Sequence, residues 1–144
     1  MAEARFRVFV TDEVDPEGIA LLRSDPRIEV VESPTLPPAE LLEQVGRYDA
    51  LVGRSATRIT RELLDRGERL RVIGRAGVGV DNIDLDRATE LGIAVINAPG
   101  GNTVSVAELT FGVLLSLVRH IHVAASSMEA GKWDRSRLGG TEIR

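Results

Sequence analysis

Two arginines that follow short β-rich runs carry the first chemical signal in this sequence. Arg54 comes after Ala50-Leu51-Val52 and Gly53 and opens into Ser55-Ala56-Thr57, while Arg75 comes after Leu70-Arg71-Val72-Ile73 and Gly74 and opens into Ala76-Gly77-Val78-Gly79-Val80-Asp81-Asn82. A guanidinium grips phosphate or carboxylate through two parallel hydrogen bonds, and Ser55 and Thr57 add hydroxyls. Gly77 and Gly79 let backbone amides approach a ligand closely and turn inward as an anion-binding nest. A third stretch, Asn97-Ala98-Pro99-Gly100-Gly101-Asn102-Thr103, ends where a helix is expected to begin, and the free amides there favour negative charge. Each feature alone has a plainer explanation: an arginine in a surface ion pair, glycines in a tight turn, Asp81 and Asn82 fixing that turn, Asn102 as a helix N-cap. Their combination at one edge points to a small anionic ligand.

Other chemistries are poorly served. Gly77-Val78-Gly79-Val80-Asp81-Asn82 imitates a dinucleotide fingerprint but places Asn82 where the third glycine belongs. His120 and His122 are two residues apart on an expected helix and point to different faces, so no metal pair is expected. The sequence has no cysteine, which removes disulfides and thiolate chemistry and agrees with a reducing, cytoplasmic setting. No nucleophile elbow, zinc-protease or Walker A pattern is present. The acidic Thr11-Asp12-Glu13 after the first strand argues against a flavin phosphate loop, and Gly53-Arg54 stands where a phospho-receiver would need an aspartate. A net charge of -4 offers no basic footprint for nucleic acid or anionic membrane. The seventeen arginines against one lysine, Lys132, read as codon usage except where placement says otherwise. The opening MAEARFRVFV lacks the apolar run of a signal peptide, and the apolar stretch Val104 to Val118 is shorter than the ~20 residues a membrane span requires.

The elements that must position these loops follow from the periodicity. Phe6–Val10, Ile28–Val31, Ala50–Val52, Leu70–Ile73 and Ile93–Ile96 read as five short strands. Between them lie helical patterns: one opened by Pro16 and closed by Pro26, one carrying Leu41, Leu42 and Val45 after the connector prolines Pro34, Pro37 and Pro38, one N-capped by Thr60, and one opened by Asp84 and closed by Gly92. Alternating strands and helices predict a doubly wound parallel α/β sheet, flavodoxin-like, in the order 2-1-3-4-5, with helices on both faces. In such a sheet ligands bind beyond the carboxyl ends of the strands, which is where the three loops fall.

From Thr103 to about Met128 the chain carries no proline and one glycine, Gly112, and predicts a single helix of ~39 Å. Its apolar residues run nearly all the way round, so more than one side wants cover from a partner subunit or a further domain, or else an apolar patch is exposed.

The run Leu70 to Asp84, continuing through Gly92 to Thr103, closely resembles the NAD-dependent D-2-hydroxyacid dehydrogenase family, in particular its members that oxidise 3-phosphoglycerate in serine biosynthesis. The resemblance extends from about Phe6 through Arg54-Ser55-Ala56-Thr57 to Gly131-Lys132-Trp133 and the chain's end. It implies that residues 1–100 form most of a substrate-binding domain and that 101–144 are a linking helix and the start of a nucleotide-binding domain. It implies that Arg54, Ser55 and Arg75 hold a phosphate, that Ala76, Gly77, Val78 and Gly79 present amides to a carboxylate, that Asn102 touches substrate, and that Val78 and Val106 line the nicotinamide side. The helix from 103 to about 130 and the Trp133 loop match a subunit contact, hence a homodimer or larger assembly. Leu109 departs from the family's histidine after Glu108. The family's cofactor loop and acid–base residues lie beyond matching positions, so no catalytic residue is assigned and the 144 residues alone are expected to be inactive and to bind NAD weakly. The residues also permit a hydroxypyruvate or glyoxylate reductase, or a non-catalytic anion-binding or dimerisation module.

Overall fold

The computed structural model describes residues 5–33 and 36–143; Pro34 lies outside them. Met1–Gly101 and Asn102–Arg144 form two compact units. In the first, a five-stranded parallel sheet has the order β2-β1-β3-β4-β5, with β1 Phe6–Val10, β2 Ile28–Glu32, β3 Ala50–Gly53, β4 Val72–Arg75 and β5 Ala94–Ile96. The helices α1 Pro16–Arg23, α2 Pro38–Gln44, α3 Arg61–Arg66 and α4 Leu85–Glu90 occupy the crossovers, as alternation predicts.

The register explains the core. Val31, Phe9, Leu51, Ile73 and Val95 are successive cross-strand partners, so side-chain alternation sends all five to one face. There they meet Leu41 of α2, Leu63 and Leu64 of α3 and Ala88 of α4 in one apolar cluster. The opposite face carries Val8, Ala50, Val72 and Ala94 as another row. With Leu22 of α1, Phe6 and Ile96, three of them line an apolar cleft of about 460 Å³.

Local chemistry sets the element ends. Thr60 and Asp84 accept hydrogen bonds from the amides of Leu63 and Arg87, and Asp15 does the same for Glu17 ahead of the Pro16 start. Gly92 takes φ +70° just past α4, a left-handed stop that an L side chain resists.

Two expectations are corrected. Strand four begins at Val72 rather than Leu70 and continues through Gly74 to Arg75, because its ladder with β3 runs on as Val52↔Gly74 and Gly53↔Arg75. Gly53, Gly74 and Arg75 are therefore strand residues, not loop residues. The single long helix is two: α5 Thr103–Val118 and α6 Ile121–Glu129, bent by 68°. His120 sits in the left-handed region at φ 52°, and the end of α5 is closed by the Thr141 amide on the Val118 carbonyl at 2.8 Å. Gly140 permits this contact, since a Cβ there would lie 2.6 Å from the Val118 oxygen. No described residue of α5 or α6 is buried, and among the described residues no single helix is long and apolar enough to cross a membrane.

Charge also ties the sheet's amino edge. Asp49 accepts from the Arg7 amide at 2.9 Å and from Arg69 at 3.0 Å. Burial opposes its ionisation, but the Arg7 amide with Arg69 and Arg71 outweighs that, and its pKa is lowered. The Arg27 side chain and amide pull Asp25 from an ordinary 3.8 to about 2. A depressed folded pKa stabilises above the unfolded value and is lost as pH falls through the folded one. The melting temperature is thus expected to hold from neutral pH to about 4 and to fall below it. Asp49→Asn should flatten that acid limb in thermal scans; an unchanged limb refutes the role given to Asp49.

Candidate anion-binding site

The site begins two residues past β1. Asp12 is 5% exposed, and its carboxylate accepts the Arg54 amide, the Thr57 amide at 3.2 Å and the Thr57 hydroxyl at 2.7 Å. It can do so because β3 is the in-register neighbour of β1, and because Gly53 has no side chain. A Cβ at Gly53 would lie 2.8 Å from the Thr11 hydroxyl oxygen and 3.4 Å from the Asp12 carboxylate. From the other side, the Asn82 amide group donates to the Arg54 carbonyl at 2.8 Å and the Thr57 carbonyl at 2.7 Å. Asn82 is itself fixed by a parallel bridge between Ile59 and Ile83, through Ile59 N to Asn82 O at 2.8 Å and Asp84 N to Ile59 O at 2.9 Å. Ser55 and Ala56, between the clamped residues, are exposed and their amides make no hydrogen bond.

The loop after β4 is built in the same way. The Ala98 amide donates to the Gly77 carbonyl at 2.9 Å, and the Asn97 side chain donates to the Val78 carbonyl at 2.8 Å. With these carbonyls held, the amides of Val78 and Gly79 are left without partners. Those of Ala76 and Gly77 are not: they donate to Gly53 O at 2.9 Å and Arg75 O at 2.8 Å. The amide cradle expected from Ala76 through Gly79 therefore narrows to its last two members.

Arg75 lies beneath that loop. Its side chain is 12% exposed, and its nearest acid, the 89%-exposed Asp81, is 3.9 Å away, too long for a hydrogen bond. Its Nε is buried with no partner, although buried polar atoms normally find one. The glycines make the room: a Cβ on Gly77 would meet the guanidinium nitrogen at 2.8 Å, and one on Gly79 would stand 3.6 Å from it. Arg54 is exposed and lines a cleft of about 560 Å³ with Glu13, Val14, Asp15, Pro16 and Ala76. Arg75 does not line that cleft. The structure thus brings Arg75 together with Gly77, Gly79 and Asp81, and Arg54 together with Ser55, Thr57 and Ala76, on adjoining strand ends. Asn102 and Val106 belong to the other unit. Asn102 precedes α5 without spending its side chain on a cap bond, and Val106 is exposed.

Sequence reasoning missed Asp12 and Asn97. The signal for Asp12 was available: in the order 2-1-3-4-5 the residue after strand one neighbours the residue after strand three.

Comparison with known proteins identifies the family. Residues 8–136 match the family model "D-isomer specific 2-hydroxyacid dehydrogenase, catalytic domain". The chain is 46% identical over 137 residues to a D-3-phosphoglycerate dehydrogenase of Methanocaldococcus jannaschii, covering 95% of this chain and 26% of that protein. It is 44% identical to a hydroxypyruvate reductase of Thermotoga maritima over 97% of this chain and 45% of that one. The NAD+-bound 3-phosphoglycerate dehydrogenase of Entamoeba histolytica superposes with a TM-score of 0.70 at 29% identity, covering 81% of this chain and 40% of that chain. The chain thus spans between about a quarter and a half of the length of these relatives. With the family model matched over nearly its whole length, this chain belongs to the D-isomer specific 2-hydroxyacid dehydrogenases.

Proposed function

We propose that this chain supplies the substrate-binding part of an NAD-dependent dehydrogenase that oxidises 3-phosphoglycerate to 3-phosphohydroxypyruvate, the reaction that feeds serine biosynthesis. The observation that carries the reading is the Arg75 side chain, without a hydrogen bond, beneath a loop with two unbonded amides, beside a second clamped loop bearing Arg54. A substrate with a phosphate at one end and a carboxylate at the other needs two anion sites, and a reductase of unphosphorylated hydroxypyruvate needs one. In this reading Arg54, Ser55 and Arg75 take the phosphate, and the amides of Val78 and Gly79 take the carboxylate.

NAD accepts the hydride in that reaction. The described residues do not by themselves fit a dinucleotide: Asn82 stands at the third-glycine position with its amide group spent on two carbonyls, and α4 begins only at Leu85. Of the first unit, Val78 would offer the nicotinamide an apolar, exposed side chain. Leu109, Phe111, Leu117 and Trp133 are each more than 60% exposed, a surface that supports a homodimer formed through α5, α6 and the Trp133 segment.

The test is turnover by the protein carrying this chain. NADH should form with 3-phosphoglycerate and NAD+, at a kcat/KM at least about 100-fold above that for unphosphorylated glycerate, the worth of one or two charge-assisted hydrogen bonds. Equal use of the two, with rapid consumption of NADH by hydroxypyruvate, replaces this reading with the reductase.

A further inference from the structure

We infer that Asp12 and Asn82 are positioning residues, one carboxylate and one carboxamide that together aim the amides of Ser55 and Ala56 at the substrate's phosphate. The inference rests on the function proposed above, but it comes from a hydrogen-bond inventory rather than from that function. At Arg54 and Thr57 every backbone donor and acceptor is taken: the amides by Asp12, the carbonyls by Asn82. A turn held at all four corners leaves only its two middle amides free, and both belong to exposed residues. Free amides at a turn fixed in advance bind an anion without an ordering cost.

The two clamps differ in chemistry as their partners require. Three donors converge on Asp12, which accepts at both oxygens. Two acceptors face Asn82, which donates with its nitrogen, and its oxygen is buried without a partner. The amide is therefore oriented by the carbonyls it serves. Asp12 follows β1 and Asn82 lies in the segment after β4, so the clamp joins three strand ends and fixes the Arg54 turn one residue past the Gly53↔Arg75 pair.

Substitution separates positioning from mere support. Asp12→Ala removes the acceptor, and Asn82→Asp replaces the donor with a charge facing two carbonyls. Asp12→Asn is the rescue, because its oxygen can still take the amides while the Thr57 hydroxyl rotates to accept from its nitrogen. Asp12→Ala and Asn82→Asp should each raise KM for 3-phosphoglycerate and Ki for inorganic phosphate by about tenfold or more, with kcat within about twofold. Asp12→Asn should restore KM to within about threefold of the unsubstituted protein. KM and Ki are independent of the folded fraction, so a loss of Vmax alone, with both constants unchanged, overturns the proposal. Amide exchange gives a second readout: in Asp12→Ala it should rise at Arg54 and Thr57 and not at Ile73. If the unsubstituted protein does not turn over 3-phosphoglycerate yet binds phosphate, and Asp12→Ala weakens that binding, the function falls and the positioning stands. If phosphate binding is absent, or equal in all variants, the positioning falls.

Discussion

Arg75→Ala should raise KM for 3-phosphoglycerate by about 10- to 150-fold in the dehydrogenase proposed above, the worth of ~1.5–3 kcal/mol for a hydrogen bond to a charged partner. The magnitude follows from where the side chain sits. It is 12% exposed, its only acid lies 3.9 Å away, and its Nε is buried without a partner. Little of its hydrogen-bonding capacity is therefore spent inside the chain, and an anion replaces water rather than a rival carboxylate. Were Arg75 a structural ion pair, its loss would lower stability and leave KM alone. Gly77→Ala sharpens the distinction. Its Cβ would displace the guanidinium's flexible end, 2.8 Å away, so KM should rise while the charge is retained. Unchanged KM values in both variants would remove Arg75 from the site.

The strands and the helix caps were legible because each is a local matter, and the sheet order followed from their alternation. Hydrophobic runs of three to five residues marked the strands, and Thr60, Asp84 and Gly92 marked helix ends by chemistry that works within one turn. The end of β4 was not legible. Gly74 reads as a breaker, yet the ladder with β3 carries the strand through it, and only cross-strand pairing decides that. The break at His120 was hidden for a similar reason. A left-handed histidine costs roughly 1–2 kcal/mol, so sequence reasoning expects none. The bond beside it comes from Thr141, some twenty residues on, where Gly140 leaves room for the approach.

The candidate site divides along the same line. Its ligand-facing groups, Arg54, Arg75 and the glycines, announce themselves by type and position after strands. Its supports do not: Asp12 looks like an acidic surface residue until β1 is placed beside β3, and Asn97 like a loop residue until its amide group meets the Val78 carbonyl. The narrowing of the amide cradle was equally invisible, because whether an amide is free depends on which carbonyl lies opposite. Ala76 lost its amide to Gly53 only because β3 and β4 stay paired to their last residue.

The largest effect on stability should come from Phe9→Ala, at about 3–5 kcal/mol. Phe9 is fully buried in the row that crosses all five strands, flanked by Val31 and Leu51, where no neighbour can close the void without breaking the ladder. Its ring also stacks on Tyr48, with centroids 4.3 Å apart and planes 11° from parallel, and Arg7 lies 4.9 Å from the centroid of the Tyr48 ring. Against the 5–15 kcal/mol that ordinarily separates folded from unfolded domains, at least about a fifth of the total would go. Denaturant titration should show the midpoint falling with little change in slope. Phe9→Leu, which keeps most of the volume, should lose less than about 1.5 kcal/mol. Three residues on, Asp12 holds the Arg54 turn, yet KM measured on the folded fraction of either variant should not move, because the clamp needs the strand and not the ring. A loss below about 1 kcal/mol for Phe9→Ala would mean that the row is not the core.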